Sequence, residues 1–210
     1  MNTTFVDRRM HSLALARACL AFGARARSIS FISGLSRNDT YRILAEAGES
    51  PKQGNHPGSP EWLYKSNLFA QIEASTFASI YRRYRGLGVG ESDSLIAAFG
   101  RYQTLFRTFR HLTFDRAFNI TCHLDGIWVS DRRNLSLVAC GICGSHNLST
   151  IVADKMSTYE CLFCKIRRRY ENDKRLRENF PERQVPELQM LQHGLFAPLF
   201  SKKLDPTAPN

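Results

Sequence analysis

Two Cys-x-x-Cys pairs, Cys140-Gly-Ile-Cys143 and Cys161-Leu-Phe-Cys164, constrain this chain more than any other stretch. Two thiolates three positions apart on a turn can grip one tetrahedral ion from the same side, and a second pair closes the coordination sphere. Gly141 and Gly144 give the first turn the backbone freedom it needs. With seventeen residues between the pairs, the spacing falls in the range of structural zinc sites with four sulfur ligands. Four thiolates leave no open position for water or substrate. A single Zn2+ on Cys140, Cys143, Cys161 and Cys164 is therefore expected to hold shape and do no chemistry. A pair of disulfides, or unrelated buried thiols, are the alternatives.

At 210 residues the chain is long enough for one sizeable core, or for a core with a small module attached. Its net charge of +10 and pI near 9.6 favour a polyanionic partner, nucleic acid being the commonest, against an ordinary basic surface. The remaining cysteines, Cys19 and Cys122, read as buried core residues. Cys122 adjoins His123, but no orienting third group supports a nucleophile. The N-terminal stretch lacks the pattern of a signal peptide, and no apolar run reaches the length of a membrane span. A reducing, cytoplasmic setting is expected, where thiols bind metal instead of pairing.

The remaining pattern is mainly α-helical. Apolar spacing predicts helices over Asp7 to Phe22, Ala24 to Ile32, and from an N-cap at Ser36 to Ala47-Gly48. Ala26, Ile29 and Ser30 before Gly34, with Leu35, Thr40 and Ile43 after it, approximate the spacing of a helix-turn-helix over residues 24–47. Its second helix would present Ser36, Arg37, Asn38, Tyr41 and Arg42 to DNA, Arg37, Asn38 and Arg42 being the main candidates. An ordinary helical hairpin with a polar outer face fits the same residues.

A Pro/Gly-rich loop follows from Glu49 to Pro60. Three further helices are then expected. The first, Pro60 to Arg85, carries a stripe of Leu68, Phe69, Ile72, Thr76, Ile80 and Tyr84. The second, Ser92 to Arg110, buries Leu95, Ile96, Phe99, Tyr102 and Phe106. The third, Thr113 to Trp128, buries Phe114, Ala117, Phe118, Thr121, Leu124 and Trp128. Gly86-x-Gly88-x-Gly90 lacks the preceding strand of a dinucleotide loop. Tyr81-Arg-Arg-Tyr-Arg85 reads as a solvated helix face before it reads as a nucleic-acid contact.

After a turn at Asp131 to Asn134 the pattern shifts to short strands: Leu135 to Ala139, His146 to Val152 and Ser157 to Glu160. These suit a zinc-ribbon-like module, in which His146 is unneeded once four thiols ligate. Beyond Cys164 the basic run of Lys165, Arg167, Arg168 and Arg169 is a candidate phosphate-contacting segment. The expected organisation is a helical domain with a partner-binding surface (1–134), a four-cysteine module with a basic exit (135–180) and an irregular tail (181–210).

Phe22-Gly-Ala-Arg25, Gly34-Leu-Ser-Arg37 and Ser59-Pro-Glu-Trp62, followed by the aromatic helices and the two cysteine pairs, resemble the bacterial flagellar transcriptional activator FlhC family over about residues 12 to 170. The resemblance implies a mostly helical protein with a zinc site at the four matching cysteines. It also implies assembly with the smaller protein FlhD, as two FlhC and four FlhD chains, on promoter DNA upstream of flagellar operons, where the complex recruits RNA polymerase. The tail is longer than the family pattern, and several positions in the aromatic helices diverge. The leading expectation is thus a DNA-binding activator subunit. The alternative is a zinc-ribbon protein for RNA or single strands, stacking bases near Arg82 and Arg83. No open metal site, phosphate loop or nucleophile with a base and an orienter points to an enzyme.

Overall fold

The computed structural model describes residues 4–50, 58–107, 110–151 and 161–179. Contacts divide the chain into two compact units, Met1–Arg167 and Arg168–Asn210. The expected strand at Ser157 to Glu160 and the expected irregular tail lie outside the described residues.

In the first unit, α1 (Phe5–Ala21) starts two residues before its expected position. The Thr4 hydroxyl accepts from the Asp7 N–H while the Asp7 carboxylate accepts from the Thr4 N–H, a reciprocal capping box. The helices α2 (Ala26–Ser33) and α3 (Arg37–Glu46) are separated by Gly34, whose φ of 69° lies in the left-handed region. Ser36 caps α3 by accepting from the Asp39 N–H.

The single helix expected from Pro60 to Arg85 is two: α4 (Glu61–Lys65) and α5 (Leu68–Gly86). The break falls at Ser66-Asn67, because the Asn67 side chain accepts from the Ala70 N–H and starts a new helix there. Next come α6 (Glu91–Leu105) and α7 (Phe114–Asp125), the latter stopped by Gly126 at φ 69°. Trp128 therefore lies beyond the helix, itself at φ 58°.

The core gathers around α5, which packs against α6, α7 and the strands. Phe22, Phe77, Tyr102 and Phe114 surround Phe99, with the Phe22–Phe99 and Phe99–Phe114 ring centroids each 5.1 Å apart, edge to face. The expected α6 and α7 stripes are in this core; of the expected α5 stripe, Ile72 is buried and Ile80 and Tyr84 pack against the core, but the stripe does not extend to Phe69. Phe69 is exposed, and the buried side is formed by Ala70, Ala74, Phe77, Ala78 and Tyr81. Small residues let three elements approach α5 closely, so its burial is not one-sided.

Strands β1 (Leu135–Ala139) and β2 (His146–Thr150) form an antiparallel hairpin with Leu137 opposite Leu148. The hairpin is seated on the helices. Leu135 and Leu148 are in the main core, and the Leu148 N–H donates to the Ser75 hydroxyl of α5 at 3.1 Å. Finally, α8 (Leu162–Asn172) begins directly after Cys161. Within the second unit, the described residues complete α8 and form α9 (Lys174–Asn179).

Candidate metal centre and basic surfaces

The first cysteine pair is the turn of the β1–β2 hairpin. The Gly144 N–H donates to the Cys140 carbonyl and the Cys140 N–H to the Ser145 carbonyl, both at 2.9 Å, with Gly144 at φ 70°. The second pair sits at the start of α8, Cys161 before its first residue and Cys164 in its first turn. The four sulfurs lie within 4.8 Å of one another.

This donor set fits a metal on two counts, distance and charge. A tetrahedral ion with metal–sulfur bonds of about 2.3 Å sets its sulfurs about 3.8 Å apart. Cys140 and Cys164 sulfurs are 3.9 Å apart, and those of Cys143 and Cys161 3.5 Å. Both are far beyond the roughly 2.05 Å of a disulfide, and all six cysteines are free.

The second count is charge. Backbone N–H groups of Cys143 and Ile142 lower the Cys140 thiol, and hydrogen bonds from Ser145 draw Cys143 down to about 6. Cys164, hydrogen-bonded to Cys143, is instead pushed up to about 12. Four sulfurs this close cannot all ionise without a cation among them, and a divalent ion removes that conflict. Sulfur-directed donors are already in place, from Ile142 N–H to Cys140 at 3.4 Å and from Cys164 N–H to Cys161 at 3.3 Å. The residues therefore fit a metal ion held by four thiolates. Of the sequence candidates, His146 is outside this cluster, at the end of the ladder opposite Ala139.

The candidate cations fall on two helices. Arg37, Asn38 and Arg42 are exposed on the first turns of α3. Arg42 is tied to Asp39 at 3.0 Å and to Glu46 at 4.0 Å, so part of its charge is already compensated. Helix α3 is oriented through α2, which is pinned at both ends. At its start, the Asp115 carboxylate of α7 accepts from the Ser28 hydroxyl at 2.6 Å and from the Arg25 N–H at 3.2 Å. At its end, the Ser92 hydroxyl of α6 donates to the Ile32 carbonyl at 2.7 Å. Lys165, Arg167, Arg168 and Arg169 are exposed along α8.

Other expectations on charged and reactive groups are settled by packing. The face from Tyr81 to Arg85, expected to be solvated, is so only at Arg83; Tyr81, Arg82 and Arg85 join a part-buried ion network. The Tyr81 hydroxyl donates to Asp125, Arg82 pairs with Asp125 at 2.8 Å, and Arg85 bridges Glu91 and Asp125. Asp125 is 44 residues from Tyr81, so no local pattern could reveal the pairing. Tyr81 is buried and Arg82 is paired, whereas Arg83 is exposed and Tyr84 half-buried. Cys19 and Cys122 are fully buried, their thiols pushed up to about 12 mainly by burial. His123 turns its Nδ1 to Ser130 and Asn134, at 3.1 and 3.0 Å.

The fold and this centre define a mainly α-helical protein with a small four-cysteine module that can hold a metal ion. No described helix is long and apolar enough to cross a membrane. The sequence model of the flagellar transcriptional activator (FlhC) family matches residues 1–177, and the chain belongs to that family. Transcription activation in flagellar regulation is therefore its class of function. A comparison with curated proteins gave no match.

Proposed function

We propose that the chain is the DNA-binding subunit of a cytoplasmic activator complex that turns on flagellar operons, acting with an FlhD-like partner in a hetero-hexamer and recruiting RNA polymerase. It is not an enzyme in this reading. The observation that carries the proposal, beyond family membership, is the exposed opening of α3. Arg37, Asn38 and Arg42 stand at the start of a helix whose preceding helix is fixed to the body at both ends. Such a helix can enter a major groove with its first residues toward base edges. Lys165, Arg167, Arg168 and Arg169 would neutralise phosphates and set register.

The ion at Cys140, Cys143, Cys161 and Cys164 is zinc in this reading, the metal suited to four thiolates in a closed tetrahedron. It supplies no chemistry; it fastens the hairpin turn to the start of α8. In this reading the partner meets the helical domain (1–134), and the metal ligands lie in the segment 135–180 that follows it.

The test is a gel shift on a flagellar-operon promoter, with the chain alone and then co-expressed with its partner, over a range of salt. Sequence-selective binding that strengthens with the partner is the expected result. Arg37→Ala should lose discrimination at one base position, worth about 1–3 kcal/mol, while Arg168→Ala should weaken all sequences alike and flatten the salt slope by about one. Binding indifferent to sequence and abolished by moderate salt would refute the proposal.

A further inference from the structure

A cleft of about 450 Å³ opens between α2 and α3, lined by Arg27, Ser30, Phe31, Arg37, Thr40 and Tyr41. Each helix contributes the same five-residue pattern, an arginine, then a hydroxyl residue three positions on and an aromatic four positions on: Arg27-Ser-Ile-Ser30-Phe31 and Arg37-Asn-Asp-Thr40-Tyr41. Helical spacing puts the three side chains of each pattern on one face. Each arginine lies over its own aromatic ring, Arg27 at 5.7 Å from the Phe31 centroid and Arg37 at 5.4 Å from that of Tyr41.

The two guanidiniums differ from the others nearby. Arg9 and Arg42 pair with Asp39, and Arg25 pairs with Asp115. Among the described residues, Arg27 and Arg37 have no carboxylate partner. The cleft thus holds two uncompensated cations against mostly apolar walls. Its hydroxyls are complementary in the opposite sense. The Ser30 hydroxyl donates to the Leu35 carbonyl at 2.7 Å, so it has only lone pairs left for a ligand, while the buried Thr40 hydroxyl donates to the Ser36 carbonyl at 2.9 Å.

We infer that the α2–α3 cleft binds a nucleotide, with the phosphate on Arg27 and Arg37 and the planar base against the exposed Tyr41 ring. A guanidinium meets a phosphate with two parallel N–H donors. An aromatic face accepts a base of any identity. The Ser30 oxygen can accept from an exocyclic amine on the base. The volume lies within the range of small-ligand sites. Such a nucleotide can be free in solution or one unit of a DNA strand. The free form is the occupant expected, because a cleft of about 450 Å³ between two helices has the size of a small-ligand site. It goes beyond the DNA-binding reading. Because Arg37 and Tyr41 belong to α3, an occupied cleft competes with promoter DNA.

The experiment uses the zinc-loaded full chain without DNA and follows the fluorescence anisotropy of methylanthraniloyl-labelled AMP and GMP. Unlabelled nucleotide, nucleoside, inorganic phosphate and promoter duplex serve as separate competitors. Saturable binding is expected, with nucleoside and phosphate each at least about tenfold weaker than the nucleotide. Arg27→Gln and Arg37→Gln should each weaken binding about tenfold or more, since each removes a charge-assisted hydrogen bond. Phe31→Leu should cost a few-fold. Arg101→Gln removes an equal charge from α6 and should change nothing. Circular dichroism and zinc content verify folding of each variant. Absence of saturable nucleotide binding overturns the inference, as does equal weakening by Arg101→Gln. If free nucleotides fail while both glutamine variants weaken duplex binding, the cleft serves DNA and the inference is likewise overturned. Nucleotide binding without promoter binding upholds it and refutes the DNA reading alone.

Discussion

Removing the metal should destabilise the whole helical body, because the hairpin it closes supplies part of the main core. Leu135 and Leu148 are only 1% and 6% exposed and belong to the same cluster as Phe77, Phe99 and Phe118. Burying each side chain is worth about 1.5–3 kcal/mol, so their release costs about 3–6 kcal/mol together. The lost bond from the Leu148 N–H to Ser75 adds about 1 kcal/mol. Against a total stability of about 5–15 kcal/mol this is a large share.

For a chain of this size each kcal/mol moves the melting temperature by about 2–4 °C, so chelation should lower it on the order of 10–20 °C. Far-ultraviolet circular dichroism reports mainly α1 to α7, which hold no metal ligand. Cys161→Ser should reproduce the chelated melt, and chelator added to that variant should do nothing more. Leu148→Ala with metal bound should cost about 2–5 kcal/mol by itself. A chain that loses its metal and keeps an unchanged helical melt would refute the reasoning. The hairpin would then hold its core contacts unaided, or contribute nothing to them.

Other outcomes follow from the buried polar groups and turns. Glu73 is 3% exposed, and although burial alone would raise its carboxyl, hydrogen bonds from His111, Tyr102 and the Leu112 N–H outweigh it and hold it below 4.5. A depressed folded value means this stabilisation is complete above about pH 4.5 and lost as pH falls through the lower folded value. Glu73→Gln should cost about 3 kcal/mol near neutrality and flatten the stability curve in acid, read from urea midpoints at stepped pH. Gly126→Ala should cost more than Gly48→Ala in denaturant midpoints. Both have positive φ, worth about 1–2 kcal/mol, but only at Gly126 would a Cβ meet backbone atoms of Arg132 and Arg133, at 3.0 Å. Asp115→Ala should weaken promoter binding without touching DNA by releasing the start of α2, and should leave zinc content unchanged.

What could be read from the sequence was local. The Ser36 cap with Asp39, the left-handed Gly34 and the paired cysteines each rest on residues within a few positions of one another, where geometry follows from spacing. The cleft arginines were legible by the same rule: Arg27 with Phe31 and Arg37 with Tyr41 are both four residues apart.

What escaped was set by distant partners. Large apolar residues on α5 suggest a stripe through Phe69, yet its buried side is built on Ala70, Ala74 and Ala78, which are small because three elements crowd them. Arg82 and Arg85 look like a charged surface until Asp125 arrives from the end of α7 to neutralise them. A run of cations in a sequence thus says little about where charge is available. Arg82 and Arg85 are spent on holding α5 to α7, whereas Arg27 and Arg37 keep their charge because no carboxylate among the described residues packs against them. Availability, and with it the choice of ligand, is decided by tertiary neighbours, so the competition between nucleotide and promoter for α3 is the measurement that tells the two uses of that helix apart.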